Sequence, residues 1–405
     1  MLDKIKKYLI PSFMMVYSTT AISWIFIRII FSNHELFGKY IYANRLINYR
    51  AGFIRRGLGG EIIFWLSRIT GLSLVSVIDM TSAIIWISLV VFFIHEFIRK
   101  KYPLFILTLP FFLGETIIVD DQYFLRQDSF TILIFIAMVY IAIKNRIPEK
   151  LSFFLINLLF VFGTLFHEAI FFISFPILLL TIWHKKNSII TSFLFLLPSL
   201  IVFILCFLLP EKSTPTEMLK LTPEINPEYT KFLYYSIAEN FSILWSRAND
   251  PSIVATIMYL LSLIFLIYFI SLNFNKLFFR IPTRTPEFNI NFLSLTLILQ
   301  FFSVLPLFCS AWDWGRWCFL WTASSFAYFL LAEENPFNKN IMQKFDISQM
   351  KWFQKLSEKQ LLVFLAAILT SCRFSIPLRA DFFTFSPVFI IFRTILENIN
   401  HSLTM

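Results

Sequence analysis

The chain has 405 residues, of which 58% are hydrophobic and only 15% charged, and its mean hydropathy is +0.72. Soluble domains average about 45–50% apolar and about 25% charged residues, so the composition excludes a water-soluble enzyme or a string of soluble domains. The formal net charge of +10 does not point to nucleic acid, because most lysines sit in short loops between apolar runs, where positive charge marks the cytoplasmic side of a membrane.

Apolar runs predict spans near 8–31, 73–98, 103–119, 128–143, 151–166, 169–183, 188–209, 251–272, 288–309, 316–333 and 360–376, with a weaker run at 383–396. A bilayer core needs about 20 helical residues, and in lipid every backbone amide must be paired internally. The expected fold is therefore an all-α polytopic membrane protein of about 11–12 transmembrane helices, forming one integral membrane domain over 1–405. The first run is too long for a signal-peptide core and has no small-residue cleavage site, so it reads as a retained anchor. Cys206, Cys309, Cys318 and Cys372 have no metal spacing and read as small packing residues.

Lys4, Lys6 and Lys7 precede the first run and set the N-terminus in the cytoplasm. On that threading Arg99–Lys101, Lys144–Lys150, Lys185–Lys186, Lys276–Arg284 and the lysines of 335–359 all fall inside as well. Two longer segments fall outside. The first, 32–72, is rich in arginine and glycine, with an amphipathic stretch from Gly57 to Arg68 suited to the membrane interface. The second, 210–250, is polar and proline-containing, and is the longest outer loop.

The outer loops carry a second set of charges, against the usual bias. Arg45, Arg50, Arg55 and Arg56 accompany four of the nine glycines between Asn44 and Glu61. Asp120, Asp121, Arg126 and Asp128 follow in the next outer loop, His167-Glu168 in the third, and Trp312-Asp313-Trp314-Gly315-Arg316-Trp317 in a later one. Every basic residue in these motifs is arginine, whose planar fork binds phosphate or carboxylate at two points where lysine acts as a point charge. Arg50, Arg55 and Arg56 read either as anion ligands or as side chains snorkelling to lipid phosphates. Gly57, Gly59 and Gly60 would let the backbone approach an anionic ligand. Asp313 and Arg316, three apart, could pair with each other. Asp120-Asp121 has no third acidic neighbour, so no metal is expected. The runs flanking His167-Glu168 are short, which predicts a re-entrant or short hairpin over 151–183 with an ionisable pair at its tip.

Arginines stabilise diphosphate charge, aromatic faces suit sugar rings, and a carboxylate or imidazole can take a proton from an acceptor hydroxyl. The constellation therefore suits transfer of a glycan from a polyprenyl-diphosphate carrier on the outer leaflet of a bacterial inner membrane, with Trp312 and Trp314 either ordinary interface aromatics or a stacking wall for sugar rings.

The Asn-x-Arg-x-Gly-Phe-x-Arg-Arg-Gly-Leu-x-Gly stretch, the Arg126/Asp128 element, the His-Glu pair and the Asp-Trp-Gly-Arg-Trp loop resemble membrane proteins of polysaccharide gene clusters. That group is described as Wzy-type O-antigen or capsule repeat-unit polymerases. The resemblance implies polymerisation of undecaprenyl-diphosphate-linked repeat units for lipopolysaccharide or capsule. It implies a periplasmic active face, no metal or other cofactor, membrane lipids and a chain-length regulator as partners, and no nucleic acid. It carries substrate binding to Arg50, Arg55, Arg56, Arg126 and Arg316, joined by Asp121, Asp128, Trp312 and Trp314. Glu168 or Asp313 would be the base, with His167 orienting it or binding substrate. One departure is that the long outer loop lies mid-chain rather than late.

Two rivals make different demands. A GT-C-type polyprenyl-phosphate-sugar glycosyltransferase needs acidic residues in the first outer loop, which here offers only Glu35 and Glu61. A glycolipid flippase or transporter needs charges along a path through the spans, whereas these gather on one face.

Overall fold

In lipid a segment must satisfy its own backbone, and the apolar runs do so as helices. The structure is a computed structural model that describes residues 40–100, 125–143, 147–208, 242, 278–280, 289–310 and 314–332. The described helices are α1 (Tyr40–Arg45), α2 (Gly57–Thr70), α3 (Leu74–Arg99), α4 (Asp128–Ile143), α5 (Glu149–Phe166), α6 (Ala169–Lys186), α7 (Ile189–Leu208), α8 (Phe292–Ser310) and α9 (Trp314–Ala332). A short antiparallel ribbon, β1 (Phe278–Arg280) with β2 (Asn289–Asn291), is the one departure from helix among them. The runs predicted at 8–31, 103–119, 251–272, 360–376 and 383–396 lie outside the described residues, as does the 210–250 loop apart from position 242.

The chain is an α-helical membrane protein. α3, α5, α6 and residues Ile189–Cys206 of α7 are each long and apolar enough to cross a bilayer. α3, at 26 residues, is about 39 Å long. α5 and α6, at 18 residues each, reach about 27 Å against a hydrocarbon core of about 30 Å. The hairpin is longer than its apolar runs because Glu149-Lys150 and His184–Lys186 are wound into its open end, where Lys186 pairs with Glu149.

Two apolar clusters hold the helices. The larger gathers Phe93, Phe97, Phe135, Phe160, Ile173 and Phe326 from α3, α4, α5, α6 and α9, with α8 contributing Leu297 and Val304. The smaller packs Tyr42, Ile47, Ile54 and Phe64 against Ile78 and Trp86 of α3. α3 thus belongs to both, and the boundary between them lies beside Phe166 and Leu125.

Polar side chains repair the helices where proline interrupts them. Pro176 cannot support the helical bond to the Phe172 carbonyl, which instead accepts from the Ser303 hydroxyl of α8. One residue on, the Ile173 carbonyl accepts from Gln300 Nε2 at 2.8 Å. Beside Pro198 of α7, Asn157 donates to the Phe195 carbonyl at 3.0 Å and accepts from the Ser199 hydroxyl at 2.6 Å. These bonds fix the rotation of α6 against α8 and of α5 against α7. They thereby fix the side from which residues at one end of the bundle face each other.

Candidate functional site

The first outer motif is mostly scaffold. Asn48 donates to the Leu46 carbonyl at 2.8 Å and accepts from the Arg50 N–H at 3.0 Å, making a side-chain-closed turn. Glu61 of α2 accepts from the Tyr49 N–H at 2.8 Å, tying the turn to the helix. A Cβ at Gly60 would stand 2.1 Å from the Ile47 carbonyl oxygen, and one at Gly57 would stand 2.3 Å from the Tyr49 ring. Gly59 abuts Gln127 and Phe166. These glycines therefore admit the chain's own backbone and rings rather than an anion, which corrects the ligand-approach expectation for them.

What this scaffold delivers is Arg56, the residue before α2, held at φ 64° and ψ 12°. A left-handed backbone costs an arginine roughly 1 kcal/mol and is tolerated where the surroundings require it. Here Arg56 Nε lies 2.7 Å from one Glu168 carboxylate oxygen and 3.0 Å from the other, with Nη2 also on the carboxylate. Arg55 stands near enough to add its field at Glu168. Arg50 points elsewhere: its exposed guanidinium sits 3.8 Å over the Phe64 ring and does not line the pocket described below.

Between α5 and α6 the chain reverses in two residues. His167 is extended and closes α5 with a 2.7 Å bond from its N–H to the Gly163 carbonyl, while Glu168 precedes the first turn of α6. A carboxylate there faces the positive end of the helix. The His167 ring is buried, and its Nδ1 accepts from the Ala169 N–H at 3.1 Å. Its Nε2 is 3.0 Å from Arg316 Nη2, a contact whose donor is set by the ring's tautomer.

Arg316, in the first turn of α9, forks onto Asp128 at the start of α4, Nε to Oδ2 at 2.7 Å and Nη2 to Oδ1 at 2.8 Å. Both residues are buried. The fork is occupied by Asp128; Asp313, the partner that the sequence offered, lies outside the described residues.

Arg45, Arg56, Arg126 and Arg316 line one small, half-open pocket with Asn44, Gln127 and His167. Four guanidiniums from segments far apart in the chain thus share one small volume. Arg45 is 3% exposed; its Nη2 lies 3.3 Å from the Ser82 hydroxyl of α3 and its Cζ 5.7 Å from the Phe166 ring. α1 is docked one turn earlier by Tyr42, whose hydroxyl donates to Asp79 at 2.8 Å. Arg45 and Gln127 escaped the sequence reading of the site. For Arg45 the available signal was one arginine embedded in an otherwise apolar helical run.

Burial, then the Arg56 and Arg316 charges, push His167 down to about 3, so the ring is neutral at ordinary pH. Burial opposes the charge on Glu168, but Arg56 more than reverses it and holds the carboxyl well below the usual range. Burial lowers Arg45 to about 10.

Asp121, Trp312 and Asp313 lie outside the described residues, and Trp314 is the first residue of α9. Among the described residues no three of His, Cys, Asp and Glu are grouped to hold a metal ion. What the pocket can do is hold an anion between planar, preorganised cations, with the His167 ring beside it. Compared with protein-family models, with curated proteins and with solved structures, the chain matches none.

Proposed function

We propose that this chain is a glycosyltransferase that joins polyprenyl-diphosphate-linked oligosaccharide repeat units, with the arginine pocket holding the donor's diphosphate. The observation that carries the reading is the convergence of Arg45, Arg56, Arg126 and Arg316 on one pocket beside His167 and Glu168. A diphosphate supplies several acceptor oxygens, which suits a pocket lined by four arginines.

In the reaction, an acceptor sugar hydroxyl oxygen attacks the donor's anomeric carbon while the anomeric bond to the diphosphate oxygen breaks. The bonding pair leaves with the polyprenyl diphosphate, whose charge the guanidiniums stabilise. The hydroxyl proton passes to a carboxylate. Glu168 serves once Arg56 turns from it to the diphosphate, and Asp313 is the alternative base. Charge brought in by the diphosphate also relieves the cationic field on His167.

The pocket end is assigned to the periplasmic face of a bacterial inner membrane. In support, α3 and α6 carry Arg99-Lys100 and Lys185-Lys186 at the ends away from Arg56 and Glu168, and such clusters mark the cytoplasmic side.

The test is complementation in cells deleted for the gene, reading polysaccharide chain length on a gel and protein level by immunoblot. Arg55→Ala and Glu168→Gln should each remove long chains at normal protein level, and Arg316→Ala should remove them while also lowering the protein level, because Asp128 is left unpaired. Loss of one preorganised donor commonly lowers turnover about 10²–10³-fold. Arg316→Lys should fail too, since it keeps the charge and loses the fork. Wild-type ladders from all the variants would end the proposal.

A further inference from the structure

Arg45 has a role that neither the motif nor the paired arginines supply. Arg56 and Arg316 are each forked to a carboxylate, Glu168 and Asp128. Arg45 lines the same pocket at 3% exposure, yet its contacts are the uncharged Ser82 hydroxyl and the face of Phe166. Its Nε, buried, has no hydrogen-bond partner among the described residues. A buried guanidinium is stable only when something anionic or strongly accepting meets it, and an orphaned N–H at such a site calls for a ligand. The surroundings hold it for that purpose: Ser82 takes Nη2, and the Tyr42–Asp79 bond one turn back fixes the helix that carries it.

We propose that Arg45 is an oxyanion-binding residue, whose Nε–H takes an oxygen of a phosphoryl group lodged in the pocket. This deepens the reading above by naming the atom through which Arg45 meets the ligand, and it rests on that reading only for the identity of the phosphoryl group. The oxygen could belong to a soluble or carrier-borne diphosphate or to a lipid headgroup, the chemistry at Nε being the same.

The experiment titrates inorganic pyrophosphate into the full-length protein in zwitterionic-lipid nanodiscs by calorimetry, with ligand-free melting recorded in parallel. Arg45→Gln should weaken binding about tenfold or more, because a charge-assisted bond is lost. Its ligand-free melting temperature should stay level or rise, because an uncompensated buried charge has gone. A residue that only held α1 in place would give the reverse, lower melting with binding intact. Arg45→Lys, which keeps a cation without the Nε donor, should fold and still bind more weakly than wild type. Discs doped with phosphatidylglycerol separate the sources: competition with pyrophosphate assigns the oxygen to a headgroup, and its absence to a diphosphate.

Pyrophosphate binding by both variants within twofold of wild type overturns the proposal, as does failure of the wild type to bind. Loss of anion binding in cells that still make long chains would leave the Arg45 assignment standing and remove the polymerase reading instead.

Discussion

Arg316 and Asp128, 188 residues apart in the chain, meet as a buried fork with N–O distances of 2.7 and 2.8 Å. The fork joins the start of α9 to the start of α4, and its Nη2 also touches His167. Breaking a buried pair on one side leaves an uncompensated charge and costs about 3–5 kcal/mol, whereas replacing both partners by apolar residues is often neutral. Asp128→Leu alone should therefore lower the melting temperature in detergent sharply, and Arg316→Met alone should do likewise. The double variant should recover most of the loss yet make no long chains. Additive losses in the double would show that the two residues are not coupled.

Glycines of the first motif should separate by what stands over them. Gly60→Ala drives a methyl group into the Ile47 carbonyl, against the bond from the Gly60 N–H to that same oxygen at 3.1 Å. Gly59→Ala meets the ends of Gln127 and Phe166 at 3.2–3.4 Å, which can shift. Overpacking commonly costs about 1–3 kcal/mol, so Gly60→Ala should melt well below Gly59→Ala and accumulate less in membranes. Equal melting of the two would remove the scaffold account of this motif.

Much of this was legible in the sequence because a bilayer imposes one solution on apolar segments. Residues 128–143 and 169–183 already marked α4 and α6, and the polar breaks at His167-Glu168 and Arg316 marked the turn from α5 to α6 and the start of α9. Pairing was not legible. Local spacing offered Arg316 a partner three residues away, Asp313, which lies outside the described residues, while packing of α9 on α4 brings in Asp128 from another helix. Arg50 and Arg56 looked equivalent, but the closed turn at Asn48 sends one over Phe64 and the left-handed residue sends the other to Glu168. Arg45 was hidden for the same reason: its value depends on Ser82 and Phe166, which belong to other elements.

Acid should weaken the fold through the hairpin tip. His167 titrates near 6.5 when unfolded and is pushed down to about 3 in place, so between those values the unfolded chain binds more protons. Stability is full above about 6.5 and is lost as pH falls toward 3, with Glu168, also depressed, adding to the loss below its ordinary 4.5. Melting temperatures from pH 8 to 4 should fall in wild type. His167→Asn should flatten the upper part of that slope, between about 6.5 and 5. Identical slopes would mean that the ring is already charged in the folded protein.

Arg56 combines a strained backbone with a partly buried pair, and the two can be separated by substitution. Arg56→Ala removes the guanidinium and leaves a Cβ at φ 64°, while Arg56→Gly removes both the guanidinium and the backbone penalty. The glycine variant should therefore be the more stable by roughly 1 kcal/mol, a few degrees in melting temperature. Both should lose long chains, because neither can release or hold Glu168. Adding Glu168→Gln to Arg56→Gly should restore further stability without restoring chains, since the stranded carboxylate is then neutral. If the alanine and glycine variants melt together, the left-handed turn before α2 is not what aims Arg56 at Glu168, and the scaffold must act through the packing of Gly57 and Gly60 alone.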